Sequence, residues 1–154
     1  MTSPAAPPLD EWRSRLIEDD AGIARVLRAT RRIAVLGIKI PESRQAAYYV
    51  PSYLQRAGFE VVPVPVYYPG VTEILGERVF RTVSEVPGAV DMVNVFRPAR
   101  KIDAHVDDIV AKGPATVWFQ LGIRNDGAAE RLARAGIDVV QDRCLLVELQ
   151  AIGR

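Results

Sequence analysis

Five short apolar runs constrain this chain more than any other feature. They are Ile33–Leu36, Glu60–Val64, Asp91–Val95, Thr116–Phe119 and Ile137–Val140. Within each run successive residues are apolar, with little alternation, so each reads as a strand covered on both faces. Helical stretches separate the runs. A helix is expected over about 44–57, with Tyr49, Tyr53 and Leu54 on its apolar side and Gly58 closing it. Ile102, Val106, Ile109 and Val110 recur at helical spacing over 102–111, and further helices are expected over 126–135 and 144–152. Buried strands alternating with helices predict an α/β fold: one doubly wound, five-stranded, mainly parallel sheet with helices on both faces. Right-handed crossovers give an expected strand order of 3-2-1-4-5.

The remainder of the chain adds less. Residues 1–8 are rich in Pro, Ala and Ser and read as a disordered tail. Residues 9–30 read as a helical extension, two short helices or one broken near Asp20–Gly22, and 31–154 as the α/β domain. The segment 67–88 is irregular, with a turn at Leu75-Gly76-Glu77-Arg78 between short extended pieces. The length of 154 residues suits one domain with one real core. Twenty basic against nineteen acidic residues leave a net charge of +1, which argues against the broad positive field of a nucleic-acid binder. One cysteine, Cys144, and one histidine, His105, exclude an internal disulfide and a Cys- or His-rich metal site. No apolar run reaches the roughly 20 residues of a membrane helix. The N-terminus lacks the pattern of a secretory signal, so a cytoplasmic location without membrane contact is the expectation.

In a doubly wound sheet, ligands bind at the carboxyl ends of the strands, where the winding reverses. The expected order puts that crevice between strands one and four. The first loop, Gly37–Arg44, follows a nucleotide-type strand, yet it lacks the further glycines of a dinucleotide fingerprint. Gly37 permits a tight turn, a helix beginning near Ser43 offers free amides to an anion, and Lys39 and Arg44 add charge. A plain helix cap with solvated basic residues accounts for the loop about as well. Strand two ends without the acid that takes the ribose hydroxyls of NAD; Pro63 and Pro65 stand there, and no acid follows until Glu73. Tyr67-Tyr68-Pro69-Gly70 is either a stacking surface or a cover for the core. Arg97, Arg100 and Lys101 follow strand three and, with Lys39 and Arg44, offer charge for a polyphosphate ligand. Gln120 and Gly122 follow strand four, with Asn125 or Asp126 as cap of the next helix. Cys144 reads as a structural cysteine, and His105 as part of a solvated charged helix face.

Taken in order, the blocks "IAVLG", "YYVPSYLQRAGFEVVPVPVYYPG", "ILGERVF", "VDMVNVFRPA", "VWFQLGIRND" and "VVQDRC" resemble the single-domain coenzyme-A-binding proteins. These are similar to the CoA-binding domain of succinyl-CoA synthetase alpha subunits and of NDP-forming acyl-CoA synthetases. The resemblance runs from about Arg31 to Cys144 and implies a Rossmann-like domain holding coenzyme A, or an acyl-CoA, across the strand ends. It implies that Gly37, Ile38, Lys39, Ser43 and Arg44 face the diphosphate. Val64 and Pro65 would line the adenosine site, and Phe96, Arg97, Gln120, Leu121, Gly122 and Ile123 the groove toward the pantetheine. Ile38-Lys39-Ile40 stand where the family often has small hydroxyl residues. Synthetase activity needs further domains, so the implied function is a non-catalytic binding or sensor module. The competing readings are an NAD(P)-linked reductase, thiol chemistry at Cys144, and an oligomeric interaction domain with a vestigial groove. A homodimer is the default oligomer.

Overall fold

The structure is a computed structural model and describes residues 10–154; the tail expected over 1–8 lies outside them. The seven strands are β1 (Arg32–Leu36), β2 (Glu60–Val64), β3 (Glu73–Ile74), β4 (Glu77–Arg78), β5 (Met92–Val95), β6 (Thr116–Phe119) and β7 (Asp138–Val140). The helices are α1 (Asp20–Ala29), α2 (Ala46–Arg56), α3 (Val106–Lys112), α4 (Asp126–Arg134) and α5 (Leu145–Ala151). Five strands form one parallel sheet in the order β2-β1-β5-β6-β7, and β3 and β4 form a separate antiparallel hairpin. The α/β class, the five parallel strands and the helices on both faces are those expected from the sequence.

The strand order is not. Counting only the five sheet strands, it is 2-1-3-4-5, with strand two at the edge. Proline supplies the reason. Val64 gives its carbonyl to the Gly37 amide of the β1 side (2.9 Å), so neighbouring Pro63 presents its backbone to the outside. Its missing N–H costs the ladder nothing there, as at other edge prolines. The outward Pro63 carbonyl accepts the Phe80 amide (3.0 Å), so the chain after β4 covers this edge. The winding therefore reverses between β1 and β5, not between β1 and strand four.

Period-two alternation divides the core into two layers. Ala34, Leu36, Val62, Val64, Val93, Val95, Val117 and Phe119 pack on the side of α3 and α4. Ile33, Val35, Val61, Met92, Trp118 and Val140 pack on the side of α1, α2 and α5. The N-terminal extension differs from two helices. A 3-10 turn, Glu11–Arg15, gives way to an extended piece in which Leu16 bridges Val139 in parallel. The break thus lies before Asp20, because Ile17 uses its amide on the Val139 carbonyl (2.9 Å) and buries its side chain. Among the described residues no helix is long and apolar enough to cross a membrane.

Candidate functional site

The carboxyl ends of β1 and β5 meet at Gly37. Its φ is +86°, and a Cβ there would lie 2.3 Å from the Phe96 carbonyl oxygen. No other residue fits, so glycine is what lets the two strand ends close on each other. The loop then runs through a 3-10 turn, Pro41–Ser43, and Arg44 in the left-handed region (φ 53°) before α2 begins. The helix therefore starts at Ala46, later than Ser43. Ser43 caps nothing; its hydroxyl accepts the Gln45 amide (3.3 Å). No side chain caps α2, so the amides of Ala46 and Ala47 stand open.

The bulky turn does not block this opening. Ile38 is buried in the core layer beneath α2, and Ile40 packs half-buried against the same layer. Lys39 is held from two ends. Its ammonium donates to the Gln45 side chain. Its amide donates to the Ala47 carbonyl at 3.0 Å, an acceptor that an N–H at position 51 would have used. Pro51, inside α2, has no N–H to give it.

A groove of about 240 Å³ opens here, lined by Lys39, Gln45, Ala46, Ala47, Phe96, Arg97, Pro98 and Ile123. Of the residues singled out in the sequence, it brings together Lys39, Phe96, Arg97 and Ile123, beside Gly37. Val64 and Pro65 are buried at the end of β2, next to β1. Gln120 turns inward: its side-chain oxygen accepts Asn94 Nδ2 (3.4 Å) and the Leu145 amide (3.3 Å), fastening α5 to the sheet. Leu121 is exposed, and the Gly122 amide is taken by Asp142 (2.6 Å). Ser43 is half-buried and Arg44 exposed on the rim of the loop. Asn125, not Asp126, caps α4, accepting the Ala128 amide at 3.0 Å.

Phe96 packs toward α2 and Arg97 toward α3, as alternation at a strand end requires. Arg97 is only 7% exposed. Its Nε donates to His105 Nε2 (3.3 Å), its Nη1 to the Tyr67 hydroxyl (3.3 Å), and its guanidinium lies 5.7 Å from the Tyr67 ring centre. Among the described residues no carboxylate pairs with it. His105 is thus not part of a solvated charged face. It is half-buried, and burial first, then the Arg97 cation, hold its imidazole below the usual value against the pull of Asp108. The Arg97 hydrogen bond, then the charges of Arg97 and Lys101, lower the Tyr67 phenol. Sequence reasoning did not place His105, Gln45 or Pro51 here. Pro51 was a readable signal, since a proline within a helix frees the carbonyl four residues earlier. Cys144 stands at the start of α5, half-buried against the core.

Known proteins share this architecture. The protein YneT of Bacillus subtilis (strain 168) is 31% identical over 127 residues, which cover 82% of this chain and 91% of that one. The structure of cell-free ID.343 from Thermus thermophilus is 36% identical, with a TM-score of 0.80 over 88% of this chain and 99% of that one. A dinucleotide-forming acetyl-coenzyme A synthetase of Ca. Korarchaeum cryptofilum shares the fold alone. It is 20% identical, with a TM-score of 0.62 over 74% of this chain and 26% of that one. The model of a family described as the CoA binding domain matches residues 31–150, from the first strand through α5, and the chain belongs to that family.

Proposed function

We propose that this protein binds coenzyme A or an acyl-CoA in the groove between β1 and β5, as a binding or sensor module that does no chemistry of its own. The observation that carries this reading is the convergence of Lys39, the uncapped amides of Ala46 and Ala47, and Arg97 on one groove at the switch point. An uncapped helix start with Lys39 beside it suits a diphosphate, and Arg97 offers a second cation to a further anionic group of the same ligand. Phe96 and Ile123 wall the pantetheine arm, while Val64 and Pro65, buried at the end of β2, back the adenosine end from beneath. Ile38 and Gln120 contribute through the backbone that they hold in place, since their side chains are turned inward. The binding role is supported by the family.

Isothermal titration calorimetry with CoA, acetyl-CoA and NAD(H) tests the reading. Saturable binding of CoA and acetyl-CoA, with weak or absent binding of NAD(H), is expected. No heat from CoA at millimolar concentration would sink it.

A further inference from the structure

Arg97 is a buried cation without an anion. A guanidinium cannot shed its proton to escape this cost, as a lysine or histidine can. Burying an unpaired charge is expensive, and protein structures tolerate it where an opposite charge completes the site. The two groups that hold Arg97, the Tyr67 hydroxyl and His105 Nε2, fix its plane without cancelling its charge. They use two of its five N–H groups. The remainder belong to a side chain that lines the groove.

Its place in the fold says which anion. Arg97 leaves the end of β5, and its Cδ passes 3.3 Å from where a Cβ on Gly37 would stand. It ends against Tyr67, in the loop that follows β2. The side chain therefore crosses the end of β1 and arrives at the end of the second strand. In doubly wound sheets that is where the adenosine ribose is read: an acid there takes free hydroxyls, and an arginine takes a phosphate on them. No acid lies between Glu60 and Glu73, and the Tyr67–Arg97 pair covers the position instead. Lys39 and the α2 amides bring charge to the same groove from the β1–α2 side. That side suits the diphosphate; Arg97 is left for a second anionic group.

We infer that Arg97, set between Tyr67 and His105, is the receptor for a phosphate monoester on the ligand's adenosine ribose, so that the groove selects ribose-phosphorylated adenine nucleotides over their dephosphorylated forms. The inference rests on the CoA reading above for the identity of the ligand, though not for the chemistry recognised. CoA carries such a phosphate at the ribose 3′ position and NADP at the 2′ position.

Calorimetry on the full chain with three matched pairs tests it: CoA against dephospho-CoA, adenosine 3′,5′-bisphosphate against AMP, and NADP+ against NAD+. CoA is expected to bind at least about tenfold more tightly than dephospho-CoA, and the bisphosphate to outbind AMP by a similar factor. Arg97→Gln should bring CoA down to the affinity of dephospho-CoA and leave the latter unchanged. Equal wild-type affinities within the first two pairs overturn the inference while leaving CoA binding intact, and so does discrimination that survives in Arg97→Gln. If the variant does not fold, the wild-type pairs decide. If CoA does not bind but the bisphosphate still outbinds AMP, the CoA reading fails and the receptor stands. Preference confined to NADP+ over NAD+ overturns the 3′ assignment and moves the receptor to the 2′ position.

Discussion

A single lone pair decides how Arg97 is held. His105 can accept from Arg97 Nε only while its Nε2 is unprotonated, and the folded chain favours that state because burial and the Arg97 charge lower the imidazole pKa. The groups that bear on His105 are Arg97 from the β5 end and Asp108 from α3, the second acting in the opposite sense. With the folded value below the unfolded value of about 6.5, the unfolded chain takes up the proton first as pH falls. The contribution to stability is therefore whole above about pH 6.5 and is lost as pH drops through the lower folded value. His105→Gln keeps an acceptor for Arg97 but cannot titrate. Urea unfolding between pH 7.5 and about 5 should show the wild type losing stability relative to this variant on the acid side of 6.5. Parallel pH profiles would remove the role assigned to His105. None of this was legible in the sequence, where His105 sits among acids in "DAHVDDIV" and only the fold sets it against a residue eight positions earlier. The tight turn at Gly37 was legible, because a glycine ending a buried strand marks a place where the backbone needs to turn or approach without a Cβ.

The anchoring of the loop after β1 belongs to α2 as a unit. A proline inside a helix ordinarily costs stability, about 3 kcal/mol in an interior position. Pro51 is buried within α2, and the carbonyl that it leaves without a helical donor, that of Ala47, accepts Lys39 from the loop. The loop and the first turn of the helix are thereby joined where the diphosphate is proposed to bind. Pro51→Ala would restore the helical donor and set it in competition with the loop. The expected result is an unchanged or raised melting temperature together with weaker CoA binding, by about fivefold if about 1 kcal/mol of loop anchoring is lost. A variant that binds as tightly as the wild type would show that the Lys39 bond does not order the site. Proline also explains what was misread about the sheet. The five runs were legible because burial on both faces leaves an unbroken apolar signature. Their order is not carried by that signature, and only Pro63 in "EVVPV" spoke to it, by confining β2 to an edge. With β2 at the edge the crevice moves to β1 and β5, so Phe96 and Arg97 gain weight as groove residues and Gln120 recedes into the interior.

The whole molecule has one further edge, that of β7, and the N-terminal extension guards it. The family match begins at residue 31, after this piece. Leu16 and Ile17 lie along β7, with Ile17 bonded to the Val139 carbonyl and Arg15 paired with Asp138 at 3.2 Å. Arg143, beside α5, donates to the Glu18 carbonyl (2.6 Å) and ties the strap to the far end of the chain. Trp12 is flanked by the guanidinium groups of Arg13 and Arg134, at 4.5 and 5.2 Å from its ring, which lays the 3-10 turn on α4. Removing everything before Asp19 would take Leu16 and Ile17 away and uncover β7 and the core surface they pack against. At roughly 1.5–3 kcal/mol for a buried aliphatic side chain, and about half that for half-buried Leu16, the loss is about 2–5 kcal/mol, a large share of the stability of a domain this size. An open parallel edge is also a template for pairing with another chain. The truncated protein should therefore melt at a lower temperature and elute from size exclusion as larger, concentration-dependent species. CoA binding measured below its melting point should persist, because no residue of the groove between β1 and β5 comes from the strap. Loss of CoA binding from a folded truncated protein would mean that the extension reaches the ligand site, and that the edge of β7 and the groove act as one surface.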